Sequence, residues 1–227
     1  MLNFRKPHKD IVYIFIYMVK FTDIVLNDKI YLYAGIMPRD RCTKIPFIGV
    51  CPEFENDKHI QHDLCNEISL LDGTVDIFQS EDVFEHIYKD KLPSILNDIY
   101  RILKPGGLLR ISMPDYNCDI LNDRAFKDDN NEIFFDPGGG GYYDYLNNKV
   151  ENNGHVWFPT YNSTYDILSK SDFDMDKVQF LHYYDNSNNP IMKDIDYNLG
   201  YISRTPDNDE RVKNPRRPMS IVIDCYK

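Results

Sequence analysis

One stretch constrains the fold more than any other: residues 75–116, VDIFQSEDVFEHIYKDKLPSILNDIYRILKPGGLLRISMPDY. Val75-Asp76-Ile77-Phe78 is short, β-branched and aromatic, as a buried strand is. Leu92, Ile95, Leu96, Ile99 and Leu103 recur at helical spacing; Asp90 is placed to cap the start, Pro93 fits the first turn, and Arg101 and Lys104 suit the last. Pro105-Gly106-Gly107 should stop that helix, and Leu108 to Met113 is again strand-like, ending in Pro114-Asp115. Strand, crossover helix and strand of this length form a βαβ unit, so the two strands are expected to lie parallel in one sheet.

A chain of 227 residues suits a compact domain with a full core. Its net charge of −10 argues against a general nucleic-acid binder, which would show a basic face. Cys42, Cys51, Cys65, Cys118 and Cys225 are odd in number and form no C-x-x-C pair. Neither a disulfide framework nor a zinc site is indicated, and reduced thiols in a cytoplasmic protein are the expectation. The apolar run Ile11 to Val19 is too short to span a bilayer. Residues 10–26 read instead as a buried element, helical or extended, packing on the sheet or on another subunit, so a homodimer is an open expectation.

With these residues in view, the run E-H-I followed by I-x-R-I-L-K-P-G-G-x-L-x-I-S-x-P-D resembles the later core motifs of class I S-adenosylmethionine-dependent methyltransferases. It is closest to the "type 11" group of small-molecule methyltransferases. The resemblance implies an α/β, Rossmann-like fold: a mostly parallel seven-stranded sheet with an antiparallel last strand and helices on both faces. It covers residues 29–227, with 1–28 as an N-terminal element packing on that domain. The implied cofactor is S-adenosyl-L-methionine. No carboxylate cluster has convincing metal-ligand spacing, and no metal is expected.

Carried onto this chain, the resemblance assigns the cofactor site residue by residue. Lys29 to Gly35 reads as the first strand and its turn, so Ala34 and Gly35 are expected beside the methionine part of the cofactor. The family's glycine-rich loop is reduced here to Gly35, since Ile36, Met37, Pro38 and Arg39 follow. After a second strand, residues 46–50, Glu53 is the first candidate for the ribose hydroxyls, with Glu55 next; a solvated acidic loop is the alternative. His59 to Leu64 looks like a third short strand, ending in Asp63 and Leu64 at the adenine edge. Ser80, Glu81 and His86 follow the fourth strand. Open α/β sheets bind ligands outside the carboxyl ends of their strands, which gathers these residues along one rim.

A hydroxyl acceptor needs a base, commonly His or a carboxylate. His86, Asp115 and His155 are the candidates, each with a plainer reading: backbone bonding or cofactor contact for His86, turn capping with Tyr116 and Asn117 for Asp115. Gly154-His155-Val156-Trp157 resembles a G-H-x-W feature of the same group. Substrate contact is assigned to Asp115, Tyr116, His155 and Trp157, with core packing as the alternative for Trp157. Arg204 and Arg211 match an R-x-x-x-x-D-x-R arrangement and suit an anionic or sugar-containing acceptor; solvated loop charges are the alternative. Residues 117–155 form a long insertion whose run Gly138 to Gly141 follows no strand and opens no helix, so it reads as a lid or substrate loop rather than a dinucleotide motif.

Beyond the insertion, Ser163 with Asp166 is placed to open a helix running to Lys170. Residues 177–183 read as a sixth strand and 219–226 as a last one. The resemblance inserts that last strand antiparallel between the fifth and sixth. The expected activity is methyl transfer to a small polar acceptor, a hydroxyl of a sugar, nucleotide-sugar or similar metabolite. The rivals are a methyltransferase-like binding or scaffolding protein that has lost catalysis, and a methyltransferase acting on protein or RNA.

Overall fold

A computed structural model describes residues 18–37 and 45–227. In chain order the elements are α1 (Phe21–Ile24), β1 (Tyr31–Ala34), β2 (Ile48–Cys51), β3 (His59–Gln61), β4 (Val75–Glu81), α2 (Leu92–Ile102) and β5 (Leu103–Pro114). There follow α3 (Asp119–Arg124), β6 (Phe126–Lys127), β7 (Ile133–Phe135), β8 (Tyr142–Asp144), β9 (Lys149–Glu151), α4 (Tyr161–Leu168), β10 (Val178–Tyr184), β11 (Pro190–Met192) and β12 (Ser220–Tyr226). Residues 1–17 and 38–44 lie outside the described part, and with them most of the expected N-terminal element, Cys42, and Pro38-Arg39 after the first turn. The described end of that element, Val19, Phe21 and Ile24, packs into the main core.

The principal sheet runs β11-β10-β12-β5-β4-β1-β2-β3. Strands β1 to β5 pair in parallel, whereas β12 is antiparallel to both β5 and β10. The inserted antiparallel strand thus stands where the resemblance put it. An eighth strand, β11, extends the edge as a hairpin with β10.

The αβ unit at the centre forms for the reasons its spacing announces. Leu92, Ile95, Leu96, Ile99 and Ile102 are buried on one stripe of α2. The start differs from expectation: Asp90 lies in a 3-10 turn, and Lys91 at the cap makes no side-chain cap bond. Leu103 is already extended, so the helix ends before Lys104, the residue for which Pro105 disfavours the α region. The Pro-Gly-Gly segment does not end as a free turn. Gly106 N donates to Lys227 O and Lys227 N to Gly107 O, so it is stitched to the chain beyond β12. At α4 the expected opening at Ser163 and Asp166 is corrected: Thr160 is the N-cap, its hydroxyl and that of Ser163 closing a capping box.

The sheet's two faces are covered differently. Leu32, Val50, Phe78, Leu109, Ile111 and Ile223 point into one continuous apolar core with α2 and α4. Opposite them, the alternate residues Gln79, Arg110 and Asp224 are buried polar groups. The segment 194–205 straps across this second face. Arg110 forms a two-pronged pair with Asp224 (2.7 Å for each prong), and its third nitrogen donates to Asp196 O and Gly200 O. Gln79 Nε2 donates to Tyr201 O at 2.5 Å. Where helices were expected on both faces, the described residues put this strap, with a 3-10 turn at Tyr197–Leu199, over the β4–β5–β12 part of the second face.

Candidate active site

The carboxyl ends of β1, β2 and β4 open on a cleft of about 680 Å³. Its floor is set by Gly35, whose φ of +85° and closeness to Val83 (2.9 Å from an ideal Cβ) exclude an ordinary side chain. Glu53 and Asp63 line one side, with Leu64 beside them; Glu81, Asp82 and His86 line another, and Tyr88, Asn153 and Ser203 complete the wall. Asp63 Oδ1 accepts from Cys65 N at 2.9 Å, which fixes its carboxylate at the rim, while no described residue bonds that of Glu53. Of the residues assigned to the cofactor, the cleft therefore gathers Gly35, Glu53, Asp63, Leu64, Glu81 and His86. Ala34 and Ser80 instead point into the interior beneath it, both fully buried.

Glu81 is held from two directions: its Oε1 accepts from Ser203 N at 2.6 Å and its Oε2 from the Tyr33 hydroxyl at 3.3 Å. Burial, and next the charge of Asp82, raise its pKa above the ordinary carboxylate value. Arg204 pairs with Asp82, so the strap's end docks on the loop after β4 and closes the cleft there. Arg211 stands apart, paired with its own neighbour Asp209 at the surface.

Beyond His86 lies a buried polar cluster that brings residues 69 positions apart into contact. Val156 N donates to Glu85 O, and the Trp157 indole donates to Phe84 O, each at 2.9 Å. These two bonds seat His155 beside the 3-10 turn Phe84–His86, its ring edge-on to that of His86 with centroids 4.7 Å apart. His155 Nε2 is 3.7 Å from Glu85 Oε1. Its Nδ1 is 2.6 Å from the Tyr116 hydroxyl, which in turn donates to Asp136 Oδ2 at 2.6 Å. Arg124 grips the same Asp136 with two nitrogens. Burial opposes the charge on Asp136, but Arg124, Tyr116 and the Gly138 amide outweigh it and hold the carboxyl below its usual range. Burial, with His86 beside it, lowers His155 to about 3, keeping it neutral. Burial, then the nearby Asp82, push Glu85 well above the carboxylate range.

The glycine run finds its reason here. A Cβ on Gly139 would sit 2.6 Å from His155 Cγ, and one on Gly138 would sit 2.4 Å from Arg124 Cζ. These glycines let the insertion wrap the cluster closely. The insertion itself carries α3 and the hairpins β6–β7 and β8–β9 rather than a bare loop.

Asp115 lies off the cleft. Its carboxylate accepts from Asn117 N (3.0 Å) and Tyr184 N (2.9 Å), which joins the ends of β5 and β10, and burial raises its pKa to about 6. That arrangement matches the turn-capping alternative. Tyr88, Tyr116, Phe134, Tyr143, Trp157 and Phe158 line a second cavity of about 770 Å³, together with Asn117, Asn122, Asn148 and Lys149. It shares Tyr88 with the cleft. Sequence reasoning missed Tyr33, Asp82, Tyr88 and Ser203 as cleft residues and Asp136 and Arg124 as supports of His155. Tyr33, Asp82 and Tyr88 lie within two residues of Ala34, Glu81 and His86, which was the available signal; Ser203, Asp136 and Arg124 are brought in by long-range packing.

Among the described residues no helix is long and apolar enough to cross a membrane. Comparison with solved structures finds similar folds at low identity. A S-adenosylmethionine-dependent methyltransferase of Methanosarcina mazei is 13% identical, with 91% of this chain and 96% of that one covered and a TM-score of 0.48. One from Thermotoga maritima is 17% identical over 91% and 86% of the two chains, TM-score 0.46, and one from Archaeoglobus fulgidus 16% identical over 88% and 86%, TM-score 0.48. No curated protein matches the chain. A family model described as a methyltransferase domain matches residues 25–178, more than half of the sequence. Its match spans the strands that build the cleft, and the chain belongs to the methyltransferase-domain family, as a class I enzyme whose cofactor is S-adenosylmethionine.

Proposed function

We propose that the chain transfers the methyl group of S-adenosylmethionine to a hydroxyl of a small polar acceptor, a sugar or a sugar-containing metabolite. The observation that carries this reading is the meeting of two cavities at Tyr88, with His86 lining one and Tyr116, the hydrogen-bond partner of His155, lining the other. The cleft fits the cofactor: a glycine cradle at Gly35, the Glu53 carboxylate for ribose hydroxyls, and Asp63 with Leu64 for the adenine edge. When bound, the cofactor supplies an activated methyl group on a sulfonium. The chain's own work is alignment of the acceptor and exclusion of water, and alignment of this kind is worth roughly 7–11 kcal/mol.

The second cavity combines aromatic faces with amide side chains, a lining suited to a molecule with apolar ring faces and many hydroxyls. Arg204 and Arg211 are both engaged by aspartates, which favours a neutral polar acceptor over a phosphate-bearing one. His86 is the candidate base nearest the cleft. Asp115 is committed to backbone amides, and a structural part suits it better than a catalytic one.

Calorimetry with S-adenosylhomocysteine on the full chain tests the cofactor half. Asp63→Ala should weaken binding roughly 10- to 100-fold, as expected for loss of a charged hydrogen-bond acceptor. Folded protein that binds none of the nucleoside refutes the proposal. Binding without methyl transfer to any of a panel of sugars and nucleotide-sugars would favour the non-catalytic binding protein instead.

A further inference from the structure

The buried cluster beyond His86 contains more acceptors than donors. Tyr116 has one hydroxyl proton, and the ionised Asp136, gripped by Arg124, takes it. The Tyr116 oxygen must then accept from His155 Nδ1–H, an assignment made from the hydrogen-bond network. That leaves a lone pair on His155 Nε2, aimed at Glu85 Oε1 3.7 Å away. Glu85 is 0% exposed, and neither of its oxygens receives a hydrogen bond from another residue. His86 Nδ1 is likewise buried and without a partner. Three electron-pair donors, one from each of Glu85, His86 and His155, lie within 4.8 Å of one another. Arg204 is paired with Asp82, so a proton on Glu85 or a bound cation is what reconciles them.

We propose that Glu85, His86 and His155 form a binding site for a divalent first-row transition-metal ion, set between the cofactor cleft and the aromatic cavity. Two imidazoles and one carboxylate suit zinc, cobalt, manganese or iron better than the oxygen-seeking calcium or magnesium. The 3.7 Å between His155 Nε2 and Glu85 Oε1 is near the roughly 3.4 Å edge of a tetrahedron built on usual metal–nitrogen and metal–oxygen lengths. The third ligand atom, on the half-buried His86, lies within 4.8 Å of the other two. The outer support is also in place: His155 Nδ1–H is oriented by Tyr116, Tyr116 by Asp136, and Asp136 by Arg124, the kind of chain that fixes the tautomer of a ligating histidine. Charge argues the same way. Asp82 already takes the guanidinium of Arg204, which leaves the buried Glu85 carboxyl without an arginine or lysine partner among the described residues.

The binding site stands on these residues alone. Its use rests on the methyl-transfer reading: an ion here lowers the pKa of a hydroxyl that reaches it and so replaces His86, whose lone pair it takes, as the group that activates the acceptor. Sequence spacing concealed the site, because His155 is 69 residues from His86 and no two ligands fall at a recognisable interval beyond the adjacent Glu85-His86.

The test is metal binding by the full-length protein after treatment with a chelator, using Co²⁺, Zn²⁺ and Mn²⁺ separately. Calorimetry gives the affinity, and the visible absorption of bound Co²⁺ reports nitrogen and oxygen ligation. The expected result is one ion per chain, lost in Glu85→Gln. Tyr116→Phe, which touches no ion, should weaken binding by roughly 10- to 100-fold. Near-ultraviolet circular dichroism and thermal melting establish that each variant is folded. If Glu85→Gln does not fold, the Tyr116→Phe affinity decides. Folded wild-type protein that binds none of the three ions overturns the proposal, as does an affinity unchanged in the variants; a proton shared between Glu85 and His155 would then occupy the site. Binding of S-adenosylhomocysteine, measured on the same samples, separates failure of the metal site from failure of the methyl-transfer reading.

Discussion

The two faces of the central sheet differ in how much of their cover is held by directed polar bonds. On one, Leu32, Phe78, Leu109 and Ile111 interdigitate with α2 and α4, and the force is removal of apolar surface from water. On the other, a strap with a single 3-10 turn packs Ile195 and Ile202 against Leu181 and Val222 and is, in addition, tied down by polar side chains reaching its backbone: Arg110 to Asp196 O and Gly200 O, Gln79 to Tyr201 O, Glu81 to Ser203 N. The apolar face tolerates approximate solutions, because hydrophobic contact has no direction. The polar face works only if each partner is in place, because an unpaired buried charge is costly. That second face also ends at the cleft, so the precision of its bonds sets the position of Ser203 and Arg204 in the cleft wall.

The contrast can be broken most severely at Arg110. Arg110→Met leaves the Asp224 carboxylate buried and alone, and should cost about 3–5 kcal/mol in urea denaturation. Adding Asp224→Leu should recover most of that loss. No recovery would mean that Arg110 acts mainly by holding the strap's carbonyls. On the apolar face, Ile99→Ala should cost about 2–5 kcal/mol, and no single second substitution of a polar neighbour should rescue it.

A smaller effect is expected where both faces end, at Asp115. Its folded pKa of about 6 exceeds the model-compound value of 3.8. Below 3.8 both folded and unfolded chains are protonated, and the group's stabilising contribution is complete. Between 3.8 and 6 the unfolded chain releases the proton first, and the contribution falls; above 6 it is gone. The stability of wild type relative to Asp115→Asn should therefore drop by up to about 3 kcal/mol from pH 4 to 6 and then level off. Taking the difference between the two proteins removes the opposite trend from His155, which unfolding allows to protonate. The smallest effect belongs to the helix on the apolar side: Thr160→Ala should cost about 0.5–2 kcal/mol by removing the N-cap of α4.

The same contrast explains what could be read from the residues in order. The βαβ unit around α2 was legible because its apolar stripe repeats locally, and the strand ends that line the cleft followed from it. Gly35, Glu53, Asp63, Glu81 and His86 were placed together through the rule that such sheets bind at their carboxyl ends. The cap at Thr160 was missed because a serine three residues on can close the box as a glutamate does. The strap and the Tyr116–Asp136–Arg124 support were illegible for a common reason. Each depends on side chains meeting backbone or other side chains up to 122 positions away, and no periodicity records such meetings. Arg204 showed the limit from the other side: its sequence context was noticed, but its partner, Asp82, was not.

The order in which strands enter the sheet has a consequence for biosynthesis. β12 lies between β5 and β10 yet is contributed after both. Until Ser220–Tyr226 has left the ribosome, those two neighbours present bare strand edges with nothing between them. A chain lacking that segment would keep both edges unpaired and open to pairing with another chain.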